Sequence, residues 1–271
     1  MKRTLAVLVL MFVCATAHAL DIDPFRGPKP IAVLLQTDPW LMVIGSDTPM
    51  VAIYEDGQVL YLKRAPKKDP VLLVAHLSQK ALTNITQKLS SFGDYSKVKR
   101  HYNLAPNVTD LPETRIYLSI GNTKLVTSIY GLKVSDTHLP AYSTFPGHQR
   151  PDDLPKAVKE LHAFLTTMDF ADAKPWKPQY IEVMIWPYDY APDKSIHWPR
   201  DWPGLDSPNT LKRRDAYSIF LPGSDFPRLR GFLKTQKEKG AVEIGGRKWA
   251  VSVRYTFPSE PIWSNAFKGK D

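Results

Sequence analysis

Val51-Ala52-Ile53-Tyr54-Glu55-Asp56-Gly57-Gln58-Val59-Leu60-Tyr61-Leu62 is the stretch whose reading decides the fold. Two runs rich in β-branched and aromatic side chains flank Asp56-Gly57. That dipeptide favours the positive backbone angles of a tight hairpin turn. The segment is therefore read as a β-hairpin, with Glu55 and Asp56 serving the turn rather than acting as a catalytic carboxylate pair.

Working outward, Ser78 is placed to cap a helix whose Ala81, Leu82, Ile85 and Leu89 share one face. Leu77 and Leu82 suit a hydrophobic staple across that cap. A second hairpin follows. Ile116, Leu118 and Ile120 alternate inward, Gly121-Asn122 turns, and residues 125–130 return. Residues 131–153 hold Pro140, Pro146, Gly147 and Pro151 and read as a long loop. A second helix over about 155–166 buries Val158, Leu161 and Leu165. Ahead of the first hairpin, residues 20–31 carry three prolines and read as an extended lead-in.

Residues 169–178, with Pro175 and Pro178 around Trp176-Lys177, read as a linker. Beyond it come a strand (180–186), a long loop (187–214) and another strand (216–221). A short helix carries Leu229, Phe232 and Leu233, with Ser224 or Asp225 as cap and Gly240 as stop. A third hairpin turns on Gly245-Gly246. Both halves thus run strand, strand, helix, strand, strand. The expected class is α+β, with antiparallel sheets, helices packed on one face of each, and two similar-sized halves. The expected domains are 20–168 and 179–271.

Residues 49–167 resemble a domain family of unknown function found in exported bacterial proteins. The likeness rests on residues 53–61 of the hairpin, on Leu77-Ser78, and on Thr109-Asp110-Leu111-Pro112-Glu113-Thr114. The resemblance implies a fold and an exported setting, and no activity.

The amino end agrees with export. Lys2-Arg3, an apolar run over residues 5–15 and Ala17-His18-Ala19 read as a signal peptide over residues 1–19. The run is shorter than the roughly 20 residues a membrane span needs, and no transmembrane anchor is expected elsewhere. A periplasmic or secreted location follows. Cys14, the one cysteine, leaves with the signal, so the mature chain has no disulfide, thiol nucleophile or thiolate metal site. Losing Lys2 and Arg3 takes the formal charge from +9 to +7. A basic surface of this kind allows an anionic partner. No dense basic stripe appears, and nucleic acid is not expected. No phosphate-binding glycine loop, His-Glu-x-x-His or Gly-x-Ser-x-Gly is present. The histidines are scattered, so neither a metal nor another cofactor is expected.

The candidate binding surface is the loop 187–214. It gathers Tyr188, Tyr190, His197, Trp198, Arg200 and Trp202, and ends on Lys212, Arg213 and Arg214. A loop of this length is usually functional or disordered, and its aromatic content opposes disorder. Stiff aromatic loops suit sugar rings or peptide side chains. In the competing reading, Trp198 and Trp202 fold back to cover the sheet. Two classes of function are carried forward. The first is an exported, non-enzymatic protein that holds a periplasmic protein or a cell-wall glycan on this loop. The second is a periplasmic hydrolase using His197 with Asp201 or another nearby carboxylate.

Cleavage is expected after Ala19, giving an exported form that starts at Leu20. Intact-mass measurement checks it, and an exported form retaining a lipid-bearing Cys14 would overturn it.

Overall fold

The computed structural model describes residues 22–43, 45–63, 70–132 and 153–269. The signal peptide, Cys14 and nearly all of the loop 131–153 lie outside the described residues.

Eight strands form the first sheet: β1 (Pro30–Thr37), β2 (Val51–Tyr54), β3 (Gln58–Lys63), β4 (Val71–His76), β5 (His101–Asn103), β6 (Glu113–Ile120), β7 (Thr123–Tyr130) and β8 (Lys174–Pro175). Helix α1 (Gln79–Ser91) follows β4, and α2 (Lys156–Thr166) precedes β8. The spatial order is β5-β7-β6-β1-β2-β3-β4-β8. β2 and β3 are the hairpin read from the sequence. Gly57 closes it at φ +87°, and the Asp56 carboxylate accepts from the Gln58 amide at 2.9 Å. The Ser78 hydroxyl caps α1 by accepting from the Ala81 amide at 3.3 Å.

Central strands of this sheet are apolar on both faces. Ala32, Leu34, Val51, Ile53 and Val59 point to one side and pack with Leu82 and Leu89 of α1 and Val158, Leu161 and Leu165 of α2. Val33, Leu35, Ala52, Tyr54 and Leu60 point to the other. Strands buried on both faces read as unbroken apolar runs, without the alternation that marks a half-exposed strand. The extended lead-in expected over residues 20–31 runs into β1, the centre of the sheet, and β4 is a strand beyond those expected.

The second sheet contains β9 (Tyr180–Pro187), β10 (Ile196–His197), β11 (Thr210–Arg213), β12 (Ala216–Pro222), β13 (Val242–Ile244) and β14 (Arg247–Tyr255), in the order β10-β13-β14-β9-β12-β11. Helix α3 (Phe226–Leu233) covers one face through Leu229. The chain ends in α4 (Glu260–Lys268). Both sheets are antiparallel except for one edge pair each, β5–β7 and β10–β13, which run parallel.

The α+β class holds, but the expected arrangement of helices changes for the first sheet. α1 and α2 cover one face, and the opposite face packs against Phe257 and against Trp263 of α4, from the far end of the chain. Two apolar faces need two covers. Arg100 also donates to the Ala266 carbonyl of α4. The segment 169–178 is not a free tether. Its Lys174–Pro175 pairs with β4, the Trp176 amide donates to the Leu72 carbonyl at 2.8 Å, and the Trp176 ring meets Phe257 at 5.2 Å. Two local expectations also change. Asp225 sits at the α3 cap position but makes no side-chain cap bond, and α3 ends at Leu233, well before Gly240.

A Cβ on Gly57 would lie 2.6 Å from the Leu77 carbonyl oxygen, and the backbone there is left-handed. Gly57→Val should therefore destabilise the fold by about 1–3 kcal/mol. A melting curve unchanged from the parent would count against the strained turn.

Candidate functional site

The aromatic loop does not gather into one exposed surface. Trp198 and Trp202 are 8% and 6% exposed and belong to the core of the second sheet. Their rings meet at 4.9 Å, and Phe232 of α3 touches both, at 5.8 and 5.6 Å. The Trp198 indole N–H donates to the Pro203 carbonyl at 3.0 Å, which ties the ring to its own loop. Loop residues that cover a sheet in this way contribute packing rather than a ligand platform. For these two rings, the expected binding role is corrected to a core role.

The charged loop residues part company. Asp201 takes two hydrogen bonds from Arg228 of α3, at 2.6 and 2.9 Å, and Arg228 stacks over the Trp202 ring at 4.7 Å. Hydrogen bonding from Arg228 lowers the Asp201 carboxyl below its ordinary range. His197 Nδ1 instead approaches Glu243, at 3.2 Å, with the imidazole side chain 83% exposed. His197 and Asp201 thus engage different partners, and the expected His–Asp pair does not form. Tyr188 and Tyr190 meet edge to face at 4.9 Å; Tyr190 and Arg200 are exposed. Strand alternation splits the basic run. Lys212 lies over the Tyr217 ring at 5.9 Å, and Arg214 occupies the hairpin turn at φ +58°. Only Arg213 turns inward, donating to Glu182 at 3.1 Å.

Glu182 leads to a buried ion bridge. Along β9, Ile181, Val183 and Ile185 enter the core under α3. Glu182, Met184 and Trp186 therefore point to the opposite face. In register with Glu182 stands Arg254 of β14. The Arg254 guanidinium donates to Glu182 at 2.5 Å and to Glu260 of α4 at 2.6 Å. Glu182 is fully buried, and Arg254 and Glu260 nearly so. Burial pushes the Glu260 carboxyl up, against the pull of Arg254. Burial also opposes charge on Arg254, but Glu260 and Glu182 override it and hold the guanidinium protonated. The Tyr54 phenol is raised well above its ordinary range, by burial first and then by Glu260.

Beside this bridge, a cleft of about 560 Å³ opens between the two sheets. Leu35 and Arg115 line it from the first sheet, Met184, Trp186, Leu211 and Arg213 from the second, and Trp263 and Phe267 from α4. Asp47 also lines it. Burial raises its carboxyl, which accepts from the Asp38 amide at 2.7 Å. A smaller hollow of about 260 Å³ shares Arg115 and Phe267. Ser218 Oγ, Arg213 Nε, Arg254 Nε and Trp263 Nε1 are buried without hydrogen-bond partners on elements that line the cleft, and Tyr54 Oη, Gln58 Oε1, Ser195 Oγ and Trp202 Nε1 are so elsewhere. Such groups cost free energy and concentrate where a protein does more than pack.

Of this cleft, only Arg213 was singled out from the sequence. Glu182 carried a usable signal, as a charge set between Ile181 and Val183 in an otherwise apolar strand, and Arg254 a weaker one beside Val253. α4 carried a start signal as well, because proline suits the first turn of a helix, where Pro261 stands. Among the described residues, no group of three or more His, Cys, Asp or Glu could hold a metal ion, and no helix is long and apolar enough to cross a membrane. No protein-family model matches the chain, and neither a curated protein nor a solved structure matches it.

Truncating either Trp198 or Trp202 to Ala should lower stability by about 3–5 kcal/mol, as for other buried rings. Thermal melting decides the point, and a parent-like transition for both variants would return the rings to the surface.

Proposed function

We propose that this protein is an exported, non-enzymatic binding protein, and that it seats its partner in the cleft between the two sheets rather than on the loop 187–214. The observation that carries the reading is the cleft itself, with walls from both sheets and from α4 and a mainly apolar lining. Concave, largely apolar sites with a few placed polar groups are the usual form of a ligand seat. The signal sequence and the likeness of residues 49–167 to an exported bacterial family supply the setting. The expected periplasmic protein or cell-wall glycan partner belongs to the loop reading and is not carried to this seat.

The hydrolase reading keeps one specific observation, the contact of His197 with Glu243. It stands on an exposed strand end in bulk water, on the short edge strand β10. General acid–base chemistry draws its strength from a positioned group facing bound substrate. The cleft offers a seat, and this pair does not.

The mature chain, immobilised and exposed to a periplasmic and cell-wall extract, tests the choice. Met184→Glu places a charge on the cleft wall and should weaken partner capture by more than about tenfold, an effect expected of a central anchor in a desolvated site. The double variant Tyr190→Ala, His197→Ala should capture as the parent does. The reverse pattern, with both proteins folded, would return function to the loop.

A further inference from the structure

We infer that the cleft selects a small, uncharged, mainly apolar ligand and disfavours anions, although the chain as a whole is basic. This deepens the proposed function and rests on the cleft being the seat.

The first ground is charge pairing. Arg115 donates to Glu113 at 2.7 Å, Arg213 to Glu182 at 3.1 Å, and Arg254 to both Glu182 and Glu260. Lys268 is engaged as well, and Asp47 stands among the lining residues with Arg115 acting on its carboxyl. Arg115, Arg213, Arg254 and Lys268 line the cleft beside Asp47 and Glu260, and Glu113 and Glu182 stand behind the lining as partners of Arg115, Arg213 and Arg254. An incoming carboxylate, sulfonate or phosphate would compete with carboxylates that these arginines already hold. Glu182, fully buried, would then lose part of its counter-charge.

The second ground is the rest of the lining. Leu35, Val43, Met184, Trp186, Leu211 and Phe267 supply apolar surface from four separate elements and a loop. Methionine and tryptophan together fit irregular apolar and flat bodies. The third ground is size and shape. A cleft of about 560 Å³ falls within the roughly 300–1,000 Å³ of small-molecule sites. Its lining comes from both sheets and from α4, so a small occupant would touch several elements at once.

Two dyes of one skeleton test the inference on the mature chain. N-phenyl-1-naphthylamine is uncharged, and 1-anilinonaphthalene-8-sulfonate is the same molecule with a sulfonate. Fluorescence titration should show saturable binding of the neutral dye at one site per chain, with the sulfonate at least about tenfold weaker. Met184→Glu and, separately, Leu211→Glu on the edge strand β11 should each abolish the neutral dye's site while melting as the parent does. Two variants guard against one failing to fold. Equal or tighter binding of the sulfonate, or no saturable binding of the neutral dye, would overturn the inference. If the sulfonate wins and the variants remove both dyes, the ligand class is wrong and the seat stands. If the variants leave both dyes bound, the seat itself is wrong.

Discussion

Arg254 holds the molecule together by bridging Glu182 of β9 and Glu260 of α4 out of reach of water. An ion bridge this deep gives little net stability over an apolar equivalent, because desolvation consumes most of the attraction. Removing one partner is another matter and typically costs about 3–5 kcal/mol. The bridge therefore acts as a positional constraint. It fixes the start of α4 on the second sheet, while Trp263 and Phe267, one and two turns on, pack on the first. The segment before α4 is pinned by the amino-terminal end: the Ser259 amide donates to the Phe25 carbonyl at 2.6 Å, and Phe25 meets Phe220 at 5.7 Å.

The two sheets differ in what they can leave uncovered. The first has apolar side chains on both faces and must be covered twice. The second has one apolar face under α3 and one mixed face bearing Glu182, Met184, Trp186 and Arg254. α4 is nine residues long and cannot cover all of that mixed face. The gap it leaves is the cleft. Its apolar lining and its paired charges thus have the same origin: a sheet face that needs only partial cover, and a helix that must be anchored at one end.

The fate of the loop 187–214 follows from the same balance. Each large ring gains about 1.5–3 kcal/mol or more by leaving water, and α3 offers Phe232 as a neighbour. Trp198 and Trp202 accordingly turn inward and help bury the apolar face. The polar residues between and beyond them stay outside and find separate partners, Asp201 with Arg228 and His197 with Glu243. An aromatic-rich loop therefore serves as the cover of a sheet, and the concave surface forms on the sheet's other side.

Much of the fold was legible in local pattern. The Asp56-Gly57 and Gly121-Asn122 turns, the Ser78 cap, the inward faces of α1 and α2, and the strands β9, β12 and β14 all follow from spacings within a dozen residues. Hydrogen-bond geometry and side-chain period act at that range. β1 and β4 escaped because residues 31–35 and 71–75 are unbroken apolar runs without alternation or a turn signal between them and a partner, and β8 and β10 because two residues carry no period. The site was less legible. Whether an aromatic ring lies in or out depends on whether a helix such as α3 stands beside it, and nothing in residues 198–202 states that. The Glu182–Arg254–Glu260 bridge joins residues up to 78 positions apart, through a register between β9 and β14 and a helix returning from the end of the chain. Local sequence determines which way each side chain points along its own strand. Only tertiary structure decides what stands opposite it, because burial and charge pairing are properties of the two surfaces that meet.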